Sequence, residues 1–164
     1  MRLGHRAVGY LDSVQDKTSF RRRRDSFVAA AKDRGTIVIV GDVTAEQDFA
    51  SACEAFLANR ALRAAAEVTA VVYAEERLTF GALKGARTSG IAVPTQLSIA
   101  GFDDTQYATL VEPALMSVRF DAFELGQRAG AALADRIDGV ESTELALVPV
   151  SLQVRESTGR VPVS

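Results

Sequence analysis

The stretch Val93-Pro94-Thr95-Gln96-Leu97-Ser98-Ile99-Ala100-Gly101-Phe102-Asp103-Asp104 decides how the chain is read. A proline turn feeds a short apolar strand, Leu97 to Phe102, which ends in an aromatic and two adjacent carboxylates. In open α/β sheets, ligands collect at the carboxyl ends of the strands. Two acids at such an end fit a binding site, and they equally fit helix caps, a common use of Asp.

Outward from this strand, apolar runs alternate with helical patterns. Ala7–Leu11, Thr36–Val40 and Val68–Ala74 read as strands. Thr18 or Ser19 can cap a helix reaching Arg34, with Gly35 as its stop. Thr44 can cap a second helix with Phe49, Ala52, Cys53, Phe56 and Leu57 inward, which suggests a buried thiol. A third helix spans Glu76 to Thr88 with Leu78, Ala82, Leu83 and Ala86 inward, ending at Gly90. The β-α-β-α-β-α-β order predicts an α/β fold: a parallel sheet with helices on both faces. The strands lack strict alternation, as expected when both faces are covered.

After residue 104 the rhythm breaks. Glu112-Pro113 is a turn and Leu115–Val118 a short strand. Asp121 can cap a helix through Ile137, closed by Gly139. Leu145 to Val154 is extended but holds Pro149, so it reads as two short strands or one broken edge strand. Arg160 to Ser164 reads as a loose tail.

The 164 residues suit one domain with a real core. A net charge of −2 without a basic stripe argues against gripping nucleic acid electrostatically. One cysteine, Cys53, excludes an internal disulfide and a cysteine-based zinc site. No apolar run is long enough to span a membrane, and no signal-peptide core opens the chain. No nucleophile elbow, Walker loop or dinucleotide fingerprint is present, so no cofactor is expected and an enzyme is disfavoured.

Several segments carry a resemblance: Leu3–Gly9, Arg21–Phe27, Val71–Gly81, Ile91–Asp104, Glu112–Arg119, Glu124–Gly126 and Val150–Thr158. In this order and with these gaps, the chain resembles the effector-binding core of the LacI/GalR family of bacterial transcription regulators. The resemblance implies one lobe of a two-lobed core with a periplasmic-binding-protein-like fold. Residues 1–114 would form the C-terminal effector-binding lobe. Residues 115–139 would be a crossover strand and helix packed on the other lobe, 140–158 the return strands, and 159–164 a tail. The DNA-binding head and first lobe would lie outside this chain, so operator DNA would be bound only by the full-length protein.

The resemblance also implies roles. Four consecutive arginines, Arg21 to Arg24, oppose the helix dipole and repel one another. By the family pattern Arg23 points into the cleft, with Phe27 as the accompanying aromatic. Its planar fork suits paired oxygens. Asp103 matches an acid that accepts hydrogen bonds from ligand hydroxyls, while Asp104 caps the following turn. Glu75 stands where an asparagine or aspartate is usual, and Glu76 is a helix-start acid. Phe120 replaces a common glutamine and is a candidate stacking surface. The expected ligand is a small polar effector: a sugar, sugar phosphate or nucleoside. A homodimer is expected through Leu78, Phe80, Leu83, Leu110 and Val111, in the cytoplasm. A solute-binding protein of a transport system is the alternative. Without its other lobe, helix 122–138 would expose Ala122, Leu125, Ala129, Leu133 and Ile137. It would then fold back on its own sheet or swap into a second copy.

Overall fold

The computed structural model describes residues 3–13, 18–43, 49–59, 64, 67–140 and 147–161. Among the described residues the elements follow in order: β1 (Ala7–Ser13), α1 (Thr18–Lys32), β2 (Ile37–Val43), α2 (Phe49–Ala58), β3 (Ala70–Tyr73), α3 (Glu76–Thr88), β4 (Ser98–Phe102), a short 3-10 turn (Gln106–Thr109), β5 (Met116–Phe120), α4 (Ala122–Ile137) and β6 (Val150–Gln153). They build one six-stranded sheet in the order β2-β1-β3-β4-β5-β6. The first five strands run parallel and β6 pairs antiparallel with β5.

The main core lies on one face of the sheet, under α2 and α3. Leu11, Val71, Tyr73 and Ile99 from the strands meet Ala52 and Phe56 of α2 and Leu78, Ala82 and Ala86 of α3. The two helices approach closely because Gly81 and Gly85 offer no side chain. A Cβ on Gly81 would stand 2.4 Å from the Ala52 Cβ, and one on Gly85 would stand 2.7 Å from the Phe56 ring. This narrows the expected inward face of α2. Ala52 and Phe56 are buried, whereas Phe49 and Leu57 are exposed and Cys53 is half-buried. Two glycines admit only one narrow ridge of α2.

The opposite face is covered over β1 and β2 by α1, where Phe20 is buried and Phe27 packs on Tyr10 at 5.2 Å between rings. The Thr44 cap lies outside the described residues, and Thr18 is the first described residue of α1. Asp121 caps α4 as expected, accepting from the Glu124 N–H at 3.0 Å. Among the described residues around Pro149, an edge strand starts just after the proline; residues 145 and 146 of the expected extended stretch lie outside them.

Two expectations are corrected. Helix α4 does not fold back on its sheet: none of its residues is buried, and Leu133 and Ile137 are exposed. Among the described residues nothing covers its apolar ridge enough to bury it. The tail is also not loose through Val161. Gly159 donates to the Ser98 Oγ at 3.0 Å, and Val161 N–H donates to the Leu3 carbonyl at 2.9 Å. His5 joins the same knot, with Nε2 on the Gly159 carbonyl at 3.0 Å and Nδ1 on the Thr69 hydroxyl at 2.9 Å. It lies at the amino ends of the strands, away from the cleft.

Candidate functional site

At the carboxyl ends of β3 and β4, the chain brings together residues eighty positions apart. The Arg23 guanidinium donates to the Ala74 carbonyl at 2.8 Å and to Asp103 Oδ1 at 3.4 Å. It lies 4.8 Å above the Phe102 ring and 5.6 Å from Phe20, so two aromatic faces hold the cation. Register explains this placement. Phe102, Val72 and Tyr10 share the α1 side of the sheet, so the second turn of α1 reaches over the ends of β3 and β4. Both partners keep an open side: the side chains of Arg23 and Asp103 are 27% and 30% exposed.

Asp103 adopts φ +91°, a conformation that L residues rarely take. Its Oδ2 accepts from the Glu76 N–H at 3.4 Å. Glu76 opens α3, so that N–H has no acceptor within the helix. The preceding residue, Glu75, gives no side-chain cap. Asp103 therefore has two protein partners. It pairs with Arg23 at the rim of the sheet, and it serves a helix start, though of α3 rather than of its own segment.

Asp104, also at positive φ (+51°), departs from its expected role as a cap. Its carboxylate turns inward, 4% exposed, and takes the Arg155 guanidinium at 2.6 Å. Thr105 caps the 3-10 turn instead, accepting from the Tyr107 N–H at 3.3 Å. Glu76 is more than a helix-start acid. It is buried, accepts the Thr105 N–H at 3.0 Å and also binds the Thr105 hydroxyl. Burial pushes its carboxyl above the usual range, the Thr105 hydrogen bonds oppose that, and the Asp103 and Asp104 charges add to it.

Glu75 sits next to the Ala74 carbonyl but is buried, with the Thr79 hydroxyl on its own carbonyl at 2.8 Å. Phe120 ends β5 opposite Val150 and is half-buried. Its register puts it on the Phe102 side of the sheet, one strand over and two residues further along. Among the described residues it makes no ring contact with Arg23. Of the four arginines, Arg23 enters the site and Arg24 turns to Asp12 at 3.7 Å and Asp25 at 3.2 Å. Asp12 is the last residue but one of β1 and is buried, and sequence reasoning passed over it. The signal was present: Asp12 stands near the carboxyl end of its strand much as Asp103 follows β4. Arg155 gave no such signal, because nothing local ties it to residue 104.

On the outer side of α3 lies a groove of about 700 Å³ lined by Phe80, Leu83, Leu110 and Val111 with Phe49, Tyr107 and three cations. Leu110 is exposed there, whereas Leu78, expected at the same interface, is buried in the core and does not line the groove, because it sits on the face of α3 turned to the sheet. Among the described residues no helix is long and apolar enough to cross a membrane, and no cluster of three or more candidate ligands could hold a metal.

The profile of the periplasmic binding protein-like domain matches residues 1–158. The regulator CelR of Thermobifida fusca, described as HTH-type and transcriptional, is 32% identical over 160 residues, 94% of this chain and 45% of that protein. A sugar-binding LacI-family regulator of Escherichia coli, solved with phosphate, is 26% identical, with a TM-score of 0.82 over 96% of this chain and 56% of its own. The Lac repressor dimer bound to operator and an anti-inducer superposes with a TM-score of 0.86 at 24% identity, over 96% of this chain and 54% of its own. The chain thus spans about half the length of the relatives it matches. Those relatives are regulators of transcription, not enzymes.

Proposed function

We propose, for a chain that belongs to the periplasmic binding protein-like domain family and matches the effector-binding core of LacI/GalR regulators, that it senses a small polar effector. The guest is a sugar, sugar phosphate or nucleoside. Arg23 and Asp103 grip it at the open rim of the sheet, with Phe120 completing the wall; Glu75 is buried behind them. The single observation that carries this reading is the meeting of Arg23 and Asp103, two partly open, oppositely charged groups, at the strands' carboxyl ends. A fork of donors beside an acceptor matches vicinal hydroxyls.

In the whole protein, effector binding closes this lobe against its partner lobe and biases the spacing of DNA-binding heads. Effector and operator then alter each other's affinity by the same factor. The CelR name, which places it among HTH-type regulators, favours this over a transport solute-binder. Work in the cytoplasm follows from that role. A homodimer forms through the groove at Phe80, Leu83, Leu110 and Val111. The unburied ridge of α4 packs on the other lobe or, in the lobe alone, swaps into a second copy.

The test is a thermal-shift panel of neutral sugars, sugar phosphates and nucleosides on a protein carrying both lobes, repeated with Asp103→Asn. A compound that raises the melting temperature of the parent and not of the variant supports the reading. A panel in which parent and variant respond alike overturns it. The lobe alone should bind the same compound only weakly, since half the cleft wall is missing.

A further inference from the structure

We infer that Arg155 is a positioning residue for Asp103, acting through Asp104. The inference rests on the reading of Asp103 as an effector contact, which says what the acid is positioned for.

Asp103 and Asp104 are consecutive non-glycine residues at positive φ, +91° and +51°. Such backbone persists only when its surroundings hold it. Three sets of bonds do so here. The Asp103 N–H donates to the Val118 carbonyl at 2.9 Å, and the Asp104 N–H donates to the Ser117 hydroxyl at 3.2 Å. The third is Arg155, which donates to Asp104 Oδ1 and to the Leu115 carbonyl, both at 2.6 Å.

Only the third set carries charge. The Asp104 carboxylate is 4% exposed and lies near two more acids, Asp103 and the buried Glu76. A carboxylate in such a place requires its counter-charge. Remove the guanidinium and Asp104 gains most by turning out to water. The Asp104 backbone, held at φ +51°, loses its charged tether at the same moment and relaxes, rotating the peptide it shares with Asp103. The contacts of Asp103 with Arg23 and with the Glu76 N–H are both 3.4 Å, long enough that a small rotation breaks them. Arg155 lies two residues beyond β6, the strand by which the chain returns from α4. The same guanidinium therefore ties the return path of the chain to the acid in the cleft.

The Glu76 amide reports the result without any ligand. It is the first amide of α3, and Asp103 Oδ2 is its acceptor. In the full chain, NMR would compare Arg155→Met, Arg155→Lys and Asp104→Asn, with Asp103→Asn as the reference for a lost carboxylate. Positioning predicts that Arg155→Met moves the Glu76 amide resonance toward its place in Asp103→Asn. It also predicts exchange about fivefold faster at Glu76 than any change at the helix-interior Ala82 amide, the worth of one hydrogen bond. Arg155→Lys, which keeps the charge, should move it less. If Glu76 and Ala82 speed up together, or Glu76 does not move, Arg155 is merely structural and the inference falls. Should Arg155→Met fail to fold, Asp104→Asn decides. It tolerates the left-handed backbone, leaves Arg155 without its carboxylate, and must shift Glu76 in the same direction. An unmoved Glu76 would overturn the inference. These outcomes stand apart from the effector panel: Asp103 can be well positioned and bind nothing, and only the panel would show that.

Discussion

Glu76 holds Thr105 with both carboxylate oxygens, one on the backbone N–H and one on the hydroxyl, and so locks the start of α3 to the loop after β4. The carboxylate is buried and its pKa is raised above the ordinary 4.5. Below that ordinary value both folded and unfolded chains hold the proton. Between it and the raised folded value, only the folded chain does.

Stability from this group is therefore present at low pH and lost as pH rises through the folded value. Glu76→Gln removes that slope. Measured by calorimetry from about pH 4 to about pH 7, the melting temperature of the variant relative to the parent should rise with pH. A constant difference would show that Glu76 titrates alike in both states.

Gly81 and Gly85 on one helix, and Gly126 on another, should respond oppositely to alanine. A methyl on Gly81 or Gly85 meets α2 within 3 Å, so each change should cost about 1–3 kcal/mol by denaturant unfolding. Gly126 has open space, and Gly126→Ala should stabilise by about 0.5–1 kcal/mol through helix propensity. Equal effects at the three sites would contradict the α2–α3 packing described.

Tyr10 is fully buried on the α1 side, and its hydroxyl has no hydrogen-bond partner among the described residues. Burial pushes its pKa well up. Tyr10→Phe deletes the hydroxyl and keeps the ring against Phe27. It should leave stability unchanged or raise it by about 1 kcal/mol in urea unfolding. A loss of that size would reveal a bond to the hydroxyl.

Leu110 is 76% exposed at the mouth of the groove beside α3. If that groove joins two copies, Leu110→Arg removes the apolar side chain and sets a further cation beside Arg77, Lys84 and Arg87, and should leave only monomer in light scattering, with the stability of the monomer unchanged within about 0.5 kcal/mol. An unchanged assembly would move the interface elsewhere.

Much of this was legible before any coordinates. The periodicity of Leu78, Ala82, Leu83 and Ala86 marks the buried face of α3, and all four are buried. Asp121 reads as a cap and is one. What failed were features decided by distant partners. Cys53 has the spacing of a core residue, but Gly81 and Gly85 draw α2 in along the Ala52–Phe56 ridge instead. Asp104 resembles a turn cap, yet a guanidinium fifty-one residues later claims it. Arg23 was legible only through the resemblance, since a run of four arginines has no preferred member. Glu75 is near the site in sequence but buried, so adjacency overstated its openness.

The antiparallel pairing of Phe120 with Val150 has a mechanical corollary. The segment carrying α4 departs and re-enters at facing positions, whose Cα atoms in such pairs stand about 5 Å apart. Two tethers that close act as a door hinge. Anything rigidly attached beyond them swings about the line through both and resists sliding, so a load on α4 arrives at the β5 rim as torque.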